Sequence, residues 1–248
     1  MPLGQLVQNV LDFCYPGACA HCSASCLGSS FLCDDCAAKL KTLAAAPACH
    51  RCAMPLPQHV APCPYCKGRG LYPFKMILRL GIFDEPLKDL IHHMKYHGKW
   101  TLAERLADSL ADLEPIKQLI TSDKVLVPVP LHYRRQIARG YNQADIIARR
   151  LGAQFQCRLA LPARRTRNTP MQAQIHALAD RHENVKNAFS LKRPRAIQDQ
   201  HVIVVDDVMT SGYTLRTFAR TLLPARPASL SAIVLAIADP KRRDFQTI

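Results

Sequence analysis

The chain has 248 residues and carries 33 Lys and Arg against 19 Asp and Glu, a formal charge of +14. That length allows one sizeable core and a small extra module, and the charge points to polyanionic partners, either nucleic acid or a multiply phosphorylated small molecule. No apolar run reaches the roughly 18 residues of a membrane helix, and MPLGQLVQNVLDFC lacks the basic start and cleavage site of a signal peptide, so a cytoplasmic protein without a membrane span is expected.

Near the start, Leu6, Val10 and Leu11 suit a short helix docked on the rest. Ten of the 11 cysteines lie within the first 66 residues. Eight repeat one spacing: Cys19-x2-Cys22-x10-Cys33-x2-Cys36, then Cys49-x2-Cys52-x10-Cys63-x2-Cys66. A CxxC turn sets two sulfurs on one side of a knuckle, and two facing knuckles make a tetrahedral thiolate cage that suits zinc. Two structural zinc ions are therefore expected in a loop-rich module over residues 14–68, with metal supplying much of the folding energy. An iron–sulfur cluster would accept the same thiolates, and a disulfide framework is the other account, although it belongs to exported chains. Sequential pairing is simplest, but the spacing leaves open a cage of Cys19 and Cys22 with Cys49 and Cys52. His21 and His50 sit inside the CxxC turns, where backbone N–H groups face sulfur, and are read as non-ligands.

Beyond the cysteines, Leu87, Leu90, Ile91 and Met94 predict a helix over about 85–95, with His92 and His93 beside its apolar stripe as surface or packing residues. Leu102, Leu106 and Leu110 predict another over about 101–111. VLVPVPL at 125–131 is a strand apolar on both sides, as in a buried parallel sheet, and Pro128 and Pro130 break it into a loop, HYRRQIARGYNQ. A helix from about Asn142 to Leu151 and a short strand within 156–161 follow. ARRTRNTPMQAQIHALADRHENVKNAF is polar and basic; it reads as a long loop and a short helix, and the loop over 163–176 reads either as a mobile lid that closes on ligand or as an ordinary solvated loop. Between Arg134 and Arg195 there are 14 Lys and Arg against three acids, so the positive excess is local. HVIVVDD at 201–207 is the second clear strand, a helix spans about 213–223, and SLSAIVLAIAD is the third strand. Strands separated by helices over about 80–243 give an α/β fold with a mostly parallel sheet, in which ligands bind past the carboxyl ends of the strands.

Asp206 and Asp207 are read as closing the second strand, and Thr210-Ser211-Gly212-Tyr213-Thr214 turns from it into a helix. Gly212 permits close backbone approach. The helix start, with the hydroxyls of Thr210, Ser211 and Thr214, forms a nest for phosphate. The carboxylates accept hydrogen bonds from a vicinal diol, and a diol beside a monophosphate is a ribose 5-phosphate. No P-loop and no dinucleotide fingerprint is present. A receiver-like acidic pocket or a metal site would use the aspartates but leave the hydroxyl–glycine turn without a role.

VIVVDDVMTSGYT resembles the phosphoribosyl pyrophosphate (PRPP) motif of the type I phosphoribosyltransferases. With the cysteine-rich head, LIHHMKYHG, VPVPLHYRRQIARGYNQ, and RRTRNTPMQAQ followed by RHENVKNAF, the chain resembles the ComF/GntX family over about residues 14–240. The resemblance implies a type I phosphoribosyltransferase-like fold behind a double zinc ribbon. It assigns Asp206 and Asp207 to the ribose hydroxyls, as the catalytic pair of an enzyme, and Thr210 through Thr214 to the 5-phosphate. It assigns the 131–140 loop, with Arg134, Arg135 and Arg139, to pyrophosphate, and Arg164, Arg165 and Arg167 to an arm that closes over the site. Mg²⁺ would accompany PRPP. Met209 and Ser211 are mild departures from the family pattern, and Tyr213 is bulky where the superfamily varies. The family's link to competence implies a role in DNA uptake and processing, with single-stranded DNA and other uptake proteins as partners. The few aromatic residues argue against strong base stacking. No acceptor pocket stands out, and Asp207 is the one weak candidate for a base, so a Mg-dependent transferase acting on an unidentified small acceptor is the alternative.

Overall fold

A computed structural model describes residues 17–26, 30–56, 62–167 and 188–238. The expected N-terminal helix, Cys14, and the arm beyond Arg167 with its short helix lie outside these residues. The described chain opens with β1 (Gly17–Ala18) and β2 (Ser25–Cys26), an antiparallel pair flanking the first CxxC turn. Next comes α1 (Asp34–Ala45), which begins directly after Cys33 with Asp34 and Asp35 in its first turn, where negative charge suits the helix dipole. The order then runs β3 (Ile77–Ile82), α2 (Leu87–Tyr96), α3 (Thr101–Ala111), α4 (Glu114–Leu119), β4 (Lys124–Pro128), α5 (Tyr133–Arg139), α6 (Gln143–Phe155), β5 (Arg158–Leu159), β6 (Ala163–Arg165), β7 (Phe189–Leu191), β8 (His201–Met209), α7 (Tyr213–Leu222) and β9 (Ser229–Ile237).

Strongly periodic segments match expectation: α3 covers the predicted range, and α2 starts two residues late because Pro86 takes its cap position. Three readings are corrected. HYRRQIAR is not a loop, because His132 caps a helix by accepting from the Arg134 N–H at 3.3 Å, and Gly140, at φ 84°, ends it. Asp206 and Asp207 do not close their strand; β8 runs on to Met209, paired with Ile237. The 125–131 segment leaves the sheet after Pro128, as its prolines predict, whereas Ala163–Arg165, expected as loop, pairs with β7. β3, α1 and α4 carried no sequence signal strong enough to be named; in β3, Arg79 and Gly81 interrupt the apolar run.

Five strands form one parallel sheet in the order β3-β9-β8-β4-β5. Both faces are covered, which explains why β8 and β9 read as continuous apolar runs. One face packs Leu80, Leu126, Ile203, Val205 and Leu235 beneath α2, α3 and α6. The other packs Val127, Val202, Val204 and Val234 beneath α7. The cysteine-rich head divides between them: Cys19, Cys26 and Cys36 join the first core, and Cys49, Cys52 and Cys63 the second. Strands β4 and β8 are neighbours, with Pro128 opposite Val205, so the segments leaving their carboxyl ends lie side by side.

Candidate functional site

Two sets of four thiols converge: Cys19, Cys22, Cys33 and Cys36, and Cys49, Cys52, Cys63 and Cys66. Pairing is therefore sequential. Sulfur separations are 3.6 Å for Cys22–Cys33, 3.7 Å for Cys22–Cys36, and 3.8 Å for both Cys49–Cys66 and Cys52–Cys63. Four sulfurs about 2.3 Å from a tetrahedral zinc stand about 3.8 Å apart, whereas a disulfide needs about 2.05 Å. The described cysteines are free thiols, and both cages fit structural zinc. Burial alone would raise Cys19, but backbone N–H groups of Cys22, Cys33 and His21 outweigh it and bring the thiol down to about 6. Thiolate is the form a metal takes. Beside the second cage, Arg79 is buried in the sheet, gives one N–H to the Ala46 carbonyl at 3.1 Å, and leaves its Nη1 without a partner. Burial lowers Arg79 to about 10, and the Cys52 thiolate is the charge that opposes this. An anionic metal–thiolate cage offsets that buried cation.

Neither CxxC histidine joins a cage. His21 points its Nδ1 to Asp89 at 3.0 Å and lies 3.7 Å from Glu85, tying the first cage to α2. His93, on the same helix, meets the Ala20 carbonyl at 3.1 Å, in keeping with a packing role. The second cage reaches elsewhere. The chain leaving Cys66 turns through Gly68 and Gly70, and Leu71 lies against Gly212: a Cβ added there would meet Leu71 Cδ2 at 2.7 Å.

Gly212 is the cap of α7, at φ 71°, in the left-handed region that glycine occupies without strain. It turns β8 into α7 with Thr210, Ser211, Tyr213 and Thr214 around the first turn, where a helix presents N–H groups that lack intrahelical partners. Immediately upstream, Asp206 Oδ1 accepts from the Asp207 N–H at 2.9 Å, and Asp207 Oδ1 from the Val208 N–H at 2.6 Å. Neighbouring strand positions point to opposite faces. Asp207 pairs with Lys95 at the end of α2, Nζ to Oδ2 at 3.2 Å. Burial and then the Asp207 charge push Asp206 up to about 7, against the pull of Lys95 and Arg165.

The six predicted arginines divide. Arg135 and Arg165 are partly buried: burial and then Arg139 lower Arg135, while burial and then Arg135 bring Arg165 down to about 10, and Asp206 opposes that fall. Arg139 lies over the Tyr96 ring at 5.5 Å. Arg134, Arg164 and Arg167 are exposed, and the Arg134 Nε donates to the neighbouring Tyr133 hydroxyl at 3.1 Å. A cavity of about 630 Å³ opens beside this group, walled by Tyr133, Asn142, Leu161, Arg164 and Arg165. Lys95 is the residue that sequence reasoning missed. It stands in LIHHMKYHG, but its apolar stripe neighbours gave the helix and nothing gave the lysine a partner. The expected scarcity of exposed aromatic rings is also corrected: Tyr72, Tyr96, Trp100 and Tyr133 are exposed. Among the described residues no helix is long and apolar enough to cross a membrane.

The Phosphoribosyl transferase domain family matches residues 138–246 and the Double zinc ribbon domain family matches residues 10–67. Together with the parallel sheet and the two cages, these define the class: a double zinc ribbon joined to a phosphoribosyltransferase-like domain. The DNA utilization protein YhgH of Escherichia coli O6:H1 (strain CFT073) is 32% identical over 84% of this chain and 91% of its own. Competence protein F of Haemophilus influenzae is 32% identical over 82% of this chain and 90% of its own. The chain belongs to this ComF/YhgH competence-protein family. Among solved structures, Trypanosoma cruzi hypoxanthine phosphoribosyl transferase covers 59% of this chain and 68% of its own at 19% identity, with a TM-score of 0.35, too low to carry an argument.

Proposed function

We propose that this chain is a ComF-type competence factor with a pocket for PRPP or a related ribose 5-phosphate, worked by the domain over about 80–243 and braced by the zinc ribbons of 14–68. The observation that carries this is the convergence, at the carboxyl ends of β4 and β8, of Asp206 and Asp207, the Gly212 helix start, and the cations Lys95, Arg135 and Arg165. In this reading the 5-phosphate accepts N–H and hydroxyl hydrogen bonds from Thr210 through Thr214. The ribose diol donates to Asp206 and Asp207. The pyrophosphate faces Arg135 and Arg139 from α5, with Arg134, Arg164 and Arg167 supplying outer charge. The same groups would serve the alternative, a transferase in which the bond from ribose C1 to pyrophosphate breaks and arginines offset charge on the leaving group. No residue is assigned as base for an acceptor. Calorimetric titration of the zinc-loaded protein with PRPP and with ribose 5-phosphate tests the pocket. Binding is expected, and Asp206→Asn/Asp207→Asn should weaken it at least tenfold, the worth of one or two charge-assisted hydrogen bonds. Unchanged binding in the double variant would remove the acidic pair from the site.

A second element rests on the exposed rings. Tyr133 lies beside Arg134, and Tyr96 beneath Arg139, at the two ends of α5. Rings interleaved with arginines suit single-stranded DNA, whose bases stack while phosphates meet cations. The names of the relatives, DNA utilization and competence, support a partner of this kind and other DNA-uptake proteins beside it.

Mg²⁺, which the fold family implies with PRPP, does not find a protein-built site at the acidic pair. Among the described residues no group of three or more ligating side chains includes Asp206 or Asp207.

A further inference from the structure

Both oxygens of Asp207 are already engaged: Oδ1 accepts from the Val208 N–H at 2.6 Å and Oδ2 faces the Lys95 ammonium at 3.2 Å. The pair is sheltered, with the Lys95 and Asp207 side chains only 13% and 16% exposed. Lys95 is not a loose surface lysine. Leu87, Leu90, Ile91 and Met94 bury its helix in the core, the Tyr141 hydroxyl donates to the Met94 carbonyl, and His93 meets the Ala20 carbonyl at 3.1 Å, so the end of α2 is held from three sides. A divalent cation at Asp207 would have to displace this ammonium or sit against it, and two positive centres a few ångströms apart in a sheltered site repel strongly.

We propose that Lys95 is the built-in counter-cation of the acidic pair: its ammonium holds the place at Asp207 that a divalent cation would take, so that this chain binds a phosphorylated ribose with little dependence on Mg²⁺. The inference rests on the phosphoribose reading of the pocket and deepens it. When the ribose diol donates to Asp207, the ammonium stays within reach of the carboxylate and of the pyrophosphate oxygens. With Arg135 and Arg165 it then makes three protein cations around the anionic ligand. This charge stands on a helix that the first cysteine knuckle contacts, through His21 to Asp89 and Ala20 to His93, so the cage helps to set where the ammonium stands.

The test titrates zinc-loaded protein with PRPP and with ribose 5-phosphate, in buffer freed of divalent ions and in buffer with Mg²⁺. Zinc content is measured afterwards. Wild type should bind with Kd values within about threefold of each other in the two buffers. Lys95→Met should weaken binding roughly tenfold or more without Mg²⁺, the size of one charge-assisted hydrogen bond, and Mg²⁺ should restore most of that loss. Lys95→Arg, which keeps the charge, should bind more tightly than Lys95→Met in the metal-free buffer and gain less from Mg²⁺. A purely structural lysine would show the same loss in both buffers, and that result overturns the proposal. Binding by wild type only when Mg²⁺ is present also overturns it, while leaving the phosphoribose pocket standing. Absence of binding in every buffer overturns the pocket itself. If Lys95→Met fails to fold, the wild-type comparison and Lys95→Arg still decide.

Discussion

The first cysteine cage leans on α2 through polar contacts, His21 to Asp89 and His93 to Ala20, whereas the segment leaving the second leans on the turn between β8 and α7 through an apolar side chain, Leu71 against Gly212. The two cages share a spacing and the same sulfur geometry, yet they brace opposite sides of one site. The first holds the helix that carries Lys95. The second backs the turn that would grip a phosphate. The same four-thiol geometry thus meets two different parts of the fold, and the difference lies in what each cage touches.

The largest effect should come from removing either metal. Cys52→Ser/Cys63→Ser and Cys22→Ser/Cys33→Ser should each lower zinc from two atoms to one per chain, since a structural zinc contributes on the order of 10 kcal/mol to folding its own module. Metal analysis and ligand titration, side by side, sharpen the comparison. Loss of the second cage should abolish phosphate binding, while loss of the first should leave a weakened but measurable site. Equal abolition by both pairs would show that the cages act as one scaffold.

Next in size, Gly212→Ala forces a side chain into the left-handed region, at about 1–2 kcal/mol, and drives a Cβ to 2.7 Å from Leu71 Cδ2. Denaturant unfolding should register a loss of about 2–3 kcal/mol. Adding Leu71→Ala should recover the steric part of that loss and not the backbone part. No recovery would mean that Leu71 does not brace the turn.

A smaller, pH-dependent effect belongs to Asp206, raised from its ordinary 3.8 to about 7 by burial and by Asp207. Between those values the folded chain holds a proton that the unfolded chain has released. The contribution is therefore fully present below about pH 4 and lost as pH rises through about 7. Asp206→Asn should flatten this slope, seen as a smaller fall in urea midpoint from pH 5 to pH 8 than in wild type. The smallest effect is expected from His21→Asn, at most about 1 kcal/mol, because Asp89 is substantially exposed and screened. A larger loss would mean that the first cage depends on α2 for its own assembly.

Local chemistry was open to reading in the chain itself. The cysteine repeat declares two thiolate cages because four sulfurs need that spacing to face one centre. α3 and β9 declare themselves because a helix facing a core and a strand buried on both sides leave clear apolar patterns. The short Tyr133–Arg139 helix did not, since none of its residues is buried and its only signals are a histidine cap and a terminal glycine. Strand β3 hid behind Arg79 and Gly81, which the second cage and the packing of α1 accommodate from outside the strand.

The site divides along the same line. The acidic pair, the hydroxyl–glycine turn and the arginine-rich stretches are contiguous in sequence, so their chemistry could be named from residue types and order alone. Which arginines turn inward could not, because exposure depends on packing between segments far apart in the chain. Nor could the Lys95–Asp207 pair, whose members are separated by more than a hundred residues, or the contact of Leu71 with Gly212. The sequence by itself determined two four-thiol sets, the parallel α/β core and a hydroxyl–glycine turn after an acidic pair, because each is encoded by local spacing and periodicity. Only the tertiary structure decided how the cages are shared between the two faces of the sheet and which cation stands at the carboxylates, because those follow from the order in which the strands assemble.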